Sequence, residues 1–203
     1  CNHRICEHRL DGTFVRSFGS QGSGGGQFRY PSGLIEVGGH FYISDCYNHR
    51  IVVTQRDGTF VRAFGSHGPG DGQLNHARQL AAVGQRLYVA DSMNHRIAVY
   101  GLDGAFQFSF GSEGAGDGQF DCPRALLIAD GCLFVSDHLN HRVCVHRLDG
   151  TFVRAFGARG SGDGQFDCPS GLALAGGQLL VSDQMNHRVC VHELDGTFAR
   201  SFG

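Results

Sequence analysis

Asp45-Cys46-Tyr47-Asn48-His49-Arg50 places an acid, two further residues and the triplet Asn-His-Arg on one short stretch. The triplet returns at 2–4, 94–96, 140–142 and 186–188, every copy 46 residues after the last, and Asp91, Asp137 and Asp183 precede the later copies as Asp45 precedes its own. A fixed period of this length marks a repeat architecture, in which each unit buries apolar surface against its neighbours. Written beneath one another, 20–65, 66–111, 112–157 and 158–203 align without insertion or deletion, and 1–19 aligns with the last 19 positions of the unit. The chain therefore reads as one domain of four repeats and a half, with no segment left over for a second domain, a linker or a signal peptide. No apolar run approaches the roughly 18 residues of a membrane span.

Each unit opens on a glycine-dense loop such as Gly19 to Gln27, which excludes a helix. Ser32 to Val37 then predicts strand A, closed by the Gly38-Gly39 turn. His40-Phe41-Tyr42-Ile43-Ser44, rich in aromatic and β-branched residues, predicts strand B, and Ile51-Val52-Val53 predicts strand C after the signature loop. Asp57-Gly58 is a strong hairpin signal, repeated at 11, 103, 149 and 195, and Thr59 to Phe64 predicts strand D. Four short antiparallel strands with apolar residues on both faces describe a sheet sandwiched between similar sheets, which radial packing turns into an all-β propeller. In such a meander the glycine loop and the signature loop share one rim, and the Gly-Gly and Asp-Gly turns share the other.

The succession Gly-Gln-Phe, Pro, a Gly-Leu strand, Val-Ser-Asp, Asn-His-Arg, Val-x-Val and Asp-Gly-Thr-Phe, clearest at 164–203, resembles the NHL repeat. Arg stands where the family name has Leu, and the second repeat departs further, with Ala77 for the proline and Gln79 where Gly33, Ala125 and Gly171 occur elsewhere. The resemblance implies a propeller that is usually six-bladed, about 70 residues longer than this chain. The expected structure is thus an open arc of four blades and a half, an excerpt of a larger ring, with an unpaired edge near Ile5 and uncovered blade faces prone to self-association. A compact four-bladed closure is the alternative.

The composition is globular, 41% hydrophobic and 18% charged, and a formal charge of −2 provides no general attraction to nucleic acid or an anionic membrane. All 17 basic residues are arginine. Of the eight cysteines, Cys6, Cys144 and Cys190 share a repeat position with Val52 and Ala98 and read as small core residues. This favours a reducing compartment and a cytoplasmic location.

The pairs Asp45 and Arg50, Asp91 and Arg96, Asp137 and Arg142, and Asp183 and Arg188 predict a carboxylate–guanidinium bridge across each B–C turn, with Asn supplying the turn geometry. Their presence in every blade argues for structure over catalysis, since a catalytic group is needed once. The same holds for the repeated histidines, whose side chains diverge between blades and so lack the convergence a metal demands. A variant metal site would use His76 with Cys122 and Cys168; the favoured reading has neither metal nor cofactor. The glycine runs lack the lysine and following helix of a phosphate cradle.

Positions that differ between repeats are the candidates for binding. Among them are Arg29, Tyr30, His76, Arg78 and Arg124 near the start of strand A, and Tyr47, Met93, His138 and Met185 in the signature loop. They mix aromatic, apolar and polar groups, as an interaction surface does. The leading expectation is a non-catalytic scaffold presenting this rim to a protein partner, and the NHL resemblance extends it to substrate recognition in a ubiquitin ligase. Single-stranded RNA binding through Arg29, Tyr30, His76, Arg78 and Arg124 is the alternative, opposed by Asp121 and Asp167. An enzyme similar to the family's zinc-dependent amidating lyase ranks last.

Overall fold

The computed structural model describes residues 2–203. The half repeat forms a two-stranded sheet of β1 (Ile5–His8) and β2 (Phe14–Phe18), and a short parallel pair, β3 (Ser20–Gln21) with β4 (Gln27–Phe28), fastens the first glycine loop. The first full blade is β5 (Pro31–Val37), β6 (His40–Asp45), β7 (Arg50–Gln55) and β8 (Phe60–Phe64). The second is β9 (Ala77–Val83), β10 (Arg86–Asp91), β11 (Arg96–Gly101) and β12 (Phe106–Phe110). The third is β13 (Pro123–Ala129), β14 (Cys132–Asp137), β15 (Arg142–Arg147) and β16 (Phe152–Phe156). The fourth is β17 (Pro169–Ala175), β18 (Gln178–Asp183), β19 (Arg188–His192) and β20 (Phe198–Phe202). Each blade is a four-stranded antiparallel meander in chain order, and β5, β9, β13 and β17 stand side by side as the inner strands. The expected all-β propeller architecture is what the chain adopts.

Alternation along the strands explains why both faces of a blade are apolar. Ile43 and Val52 are cross-strand partners that pack with Phe28 toward the half blade, whereas Tyr42, Ile51 and Val53 pack with Leu87, Val89 and Ala98 of the next blade. The same division recurs at the two following seams, so the core is a series of blade-to-blade seams. Among the described residues no such cluster joins the fourth blade to the half blade. On the outer face of the fourth blade Leu180, Ser182 and Val189 are only partly covered, while their counterparts Phe134, Ser136 and Val143 are buried against a following blade. The arc is open, as expected.

Each B–C hairpin is held by the pair foreseen from the sequence. Asp45 faces Arg50 in register and is fully buried; its Oδ2 accepts from Arg50 Nε and Asn48 Nδ2, both at 2.8 Å, and its Oδ1 accepts the Arg29 N–H. The Arg50 guanidinium spends its remaining donors on the carbonyls of Ser23, Gly24 and Gln27, tying the hairpin to the glycine loop. Asp91 with Arg96, Asp137 with Arg142 and Asp183 with Arg188 repeat the 2.8 Å contact. Burial pushes the Asp91 and Asp137 carboxyls up, and their backbone, Asn and Arg donors pull against it.

Within the turn, histidine takes the left-handed position: φ is 54° at His49, 52° at His95, 55° at His141 and 53° at His187. The asparagine is occupied instead, its Nδ2 bridging Asp45 and the Gly22 carbonyl. Turned outward in this conformation, His49, His95 and His141 present Nδ1 to the backbone N–H of His76, Cys122 and Cys168 in the next repeat, at 3.2 to 3.4 Å. The histidine is therefore a latch between blades.

Cys144 and Cys190 are fully buried as expected, and desolvation beside Asp137 raises the Cys144 thiol to about 12. Cys6, at the same repeat position, is exposed, because its sheet has two strands and no neighbour on that side.

Replacing Arg96 by Ala leaves the buried Asp91 carboxylate without its counter-ion and should cost about 3–5 kcal/mol in urea unfolding; a loss within about 1 kcal/mol would class the pair with surface ion pairs. His146 and His192 are buried among phenylalanines, with Nδ1 donating to Gly150 and Gly196 carbonyls at 3.1 Å. Burial holds both rings below their usual 6.5, partly opposed by those carbonyls, and Arg142 adds to the effect at His146 while Asp137 opposes it. The unfolded chain protonates first, so this stability is complete above 6.5 and is lost as pH falls below it toward the folded value. His146→Phe with His192→Phe should flatten the decline in melting temperature between neutral and mildly acidic pH. Finally, the chain should self-associate in sedimentation velocity through the uncovered fourth face, and Leu180→Glu with Val189→Glu should yield a monomer.

Candidate functional site

The guanidinium bonds to the glycine loop bring that loop and the signature loop onto one rim, as the connectivity requires. Within the signature loop the variable pair divides in two. The second member points outward: Tyr47, Met93, Leu139 and Met185 are 43%, 48%, 45% and 56% exposed. Each is fixed by its own N–H, which donates across the rim to the carbonyl of Arg29, Asn75, Asp121 or Asp167 at 3.0 to 3.1 Å. The result is one exposed apolar side chain per blade on a short, tied turn.

The first member turns into the seam, and this removes His138 from the rim. His138 is 5% exposed, its Nδ1 donates to the Pro169 carbonyl at 3.1 Å, and burial holds its pKa down. Cys46 and Ser92 are buried in the same way, whereas Gln184 stays exposed because no fifth blade covers it within this chain. Of the variable pair His138-Leu139, it is Leu139 that reaches the rim. Its signal was the repeat position it shares with Tyr47, Met93 and Met185.

At the first-blade end the rim is aromatic. Tyr30 lies 4.9 Å from His3 and 4.7 Å from Tyr47 by ring centroid; Tyr47 lies 4.8 Å from His76, and His76 lies 4.8 Å from His49. Tyr30 and Arg29 are exposed and His76 is half-buried. Desolvation lowers His76 and His49, with further contributions from neighbouring Arg and His charges. At the other end the apolar groups stand among acids, since Asp121 and Asp167 sit beside His95 and His141 at 3.3 and 3.2 Å.

Arg78 and Arg124 stand at the inner side of this surface, where Arg124 meets Gln184 of the signature loop. Both lie on inner strands and line a cavity of about 390 Å³ around the propeller axis, together with Ser32, Ser170 and Gln184.

The metal set imagined from the sequence is not assembled. His76 joins His49 and Asn75, while Cys122 and Cys168 fall in separate blade junctions. Among the described residues the donors gather instead as His95, Asp121 and Cys122, and as His141, Asp167 and Cys168, each within 4.8 Å. In both, the histidine Nδ1 already receives the cysteine N–H, so the triads are the interblade latch seen at the junctions that lack these acids and thiols. Desolvation and the neighbouring aspartate raise the thiols of Cys122 and Cys168, against thiolate formation.

A family model described as NHL repeat matches residues 166–191. No curated protein sequence matches the chain. Among solved structures it is similar to a streptogramin B lyase, at 12% identity and a TM-score of 0.67 over 85% of this chain and 54% of that one. A selenomethionine-substituted virginiamycin B lyase from Staphylococcus aureus aligns at 14% identity and a TM-score of 0.65, covering 85% and 55%. A catalytically inactive variant of the Staphylococcus aureus enzyme with quinupristin aligns at 14% identity and 0.71, covering 98% and 62%. At this identity the likeness concerns the fold, and the chain spans roughly half to three fifths of these proteins' lengths.

Proposed function

We propose that this NHL-repeat β-propeller chain is a non-catalytic binding scaffold whose signature-loop rim docks a protein partner. The observation that carries the reading is the arc formed by Tyr47, Met93, Leu139 and Met185, one exposed apolar group per blade on backbone-tied turns. Exposed apolar side chains held on rigid elements, with polar groups around them, are what protein interfaces are built from. Recognition of substrates for a ubiquitin ligase is the finer form of this proposal and is supported by the NHL resemblance. A cytoplasmic setting goes with it, since Cys46, Cys144 and Cys190 serve as buried apolar residues.

The aromatic cluster favours a second reading, single-stranded RNA. Tyr30, Tyr47 and His76 offer ring faces and edges next to the exposed Arg29. The acids at Asp121 and Asp167 restrict it to the first-blade end of the rim.

The test combines Tyr47→Ser, Met93→Ser, Leu139→Ser and Met185→Ser. A photo-crosslinker placed at Met93 should join the native chain to a discrete protein. The serine variant, added in excess, should fail to compete for that protein while melting at the native temperature. Undiminished competition would overturn the rim reading. Binding of RNA oligomers that weakens steeply with salt and is lost in Arg29→Gln and Tyr30→Ala would install the second reading instead.

A further inference from the structure

Most half-buried arginines of this chain are matched to carboxylates or carbonyls, and the pair at the axis differs. Among the half-buried ones, Arg50, Arg96, Arg142 and Arg188 hold aspartates, and Arg16 holds Glu7. Arg62 and Arg154 donate to the carbonyls of Leu102 and Leu194. Arg78 and Arg124 are half-buried as well, yet among the described residues neither has a carboxylate within ion-pairing distance. Arg124 reaches only the neutral Oε1 of Gln184, at 3.2 Å, and among the described residues Arg78 has no side-chain hydrogen bond; the Nε atoms of both are buried without a partner, as are those of Arg62 and Arg154, but those two place their terminal nitrogens on carbonyls.

They occupy the same repeat position on adjacent inner strands, where the first and fourth blades carry Ser32 and Ser170. The wall of the axial cavity is thus Ser, Arg, Arg, Ser, with Gln79 and Gln184 beside it and no acid in the lining. Burial and then the charge of Arg78 push Arg124 below its ordinary value. Two guanidinium groups facing one cavity without a counter-charge destabilise each other, and an anion between them relieves both. The cavity, about 390 Å³, falls in the range of small-molecule sites and exceeds what a bare inorganic ion fills. Each guanidinium offers planar N–H pairs suited to the paired oxygens of a carboxylate or phosphate.

We propose that the axial cavity binds a small molecule through an oxyanion, a carboxylate or phosphate group held between Arg78 and Arg124. The serine and glutamine side chains supply further donors around it. The site shares Gln184 with the signature loop, but Tyr47, Met93, Leu139 and Met185 are not in its lining, so it is tested independently of protein docking.

Inorganic phosphate and succinate serve as probes in calorimetric titrations at constant ionic strength, with chloride as the reference. At least one of the two should bind saturably at one site per chain. Arg78→Gln and Arg124→Gln should each weaken it about tenfold or more, and Arg147→Gln, an exposed arginine on the third blade, should leave it unchanged. Phosphate alone binding assigns a phosphorylated ligand, and succinate alone assigns a carboxylate. On the native chain, phenylglyoxal labelling read by mass spectrometry should show Arg78 and Arg124 protected by the binding anion, which keeps the test valid if a variant folds poorly. No saturable binding of either probe, or no protection of these two arginines, would overturn the proposal. The four-serine rim variant should bind the anion as the native chain does.

Discussion

The buried aspartate of each signature loop is the interaction on which the rest of the architecture depends. Asp45 accepts at once from Arg50 across its own hairpin, from Asn48 within the turn and from the Arg29 N–H of the preceding loop. One carboxylate thus joins the two strands of the hairpin, its turn and the loop that precedes the blade. Because the arginine continues to the glycine-loop carbonyls, the loop that leads into a blade and the turn in the middle of that blade become one unit. A charge fully removed from water is tolerable only with such complete pairing. This explains why Asp, Asn and Arg recur together: loss of one would orphan the others.

The histidine extends this unit to the next blade. Its left-handed backbone aims Nδ1 at an N–H of the following repeat, so each signature loop is tied backward by arginine and forward by histidine. The rim is thereby stiff, and side chains carried on it are pre-positioned. That lowers the entropy lost when a partner docks. The residues free to vary are those whose side chains have no part in either tie, and the second member of each variable pair reaches solvent in all four blades.

The fold was legible because its signals are local or periodic. Asp45 and Arg50 are five residues apart in one hairpin, so an acid and a base at that spacing predict their own contact. The apolar faces follow from strand alternation. Legibility ended inside the signature turn, where alternation gives no guide. Cys46 to Asn48 form a single 3₁₀ turn, and sequence alone does not tell which of Cys46 and Tyr47 faces the seam. His138 reads as a rim residue for this reason, although its neighbour Leu139 is the one that reaches the rim. Asparagine was expected to supply the turn geometry, and it does so through its side chain on Asp45, while histidine takes the left-handed position. Arg78 and Arg124 were recognised as variable and basic, but strand position alone does not distinguish a rim residue from one facing the axis. That requires the curvature of the arc.

Charge shows the same separation between what is counted and what is placed. The formal charge of −2 suggests a surface without electrostatic character. Four arginines, however, are absorbed by buried aspartates and loop carbonyls, and others by carbonyls on neighbouring blades, so they contribute little field to solvent. The acids left over lie largely in the outer turns and at the interblade latches. What remains unneutralised and sheltered is the pair on the inner strands, where low-dielectric walls concentrate its field. A nearly neutral chain can thus hold a positive axis, because its buried charges are paired in the signature loops but not where Ser gives way to Arg at Arg78 and Arg124.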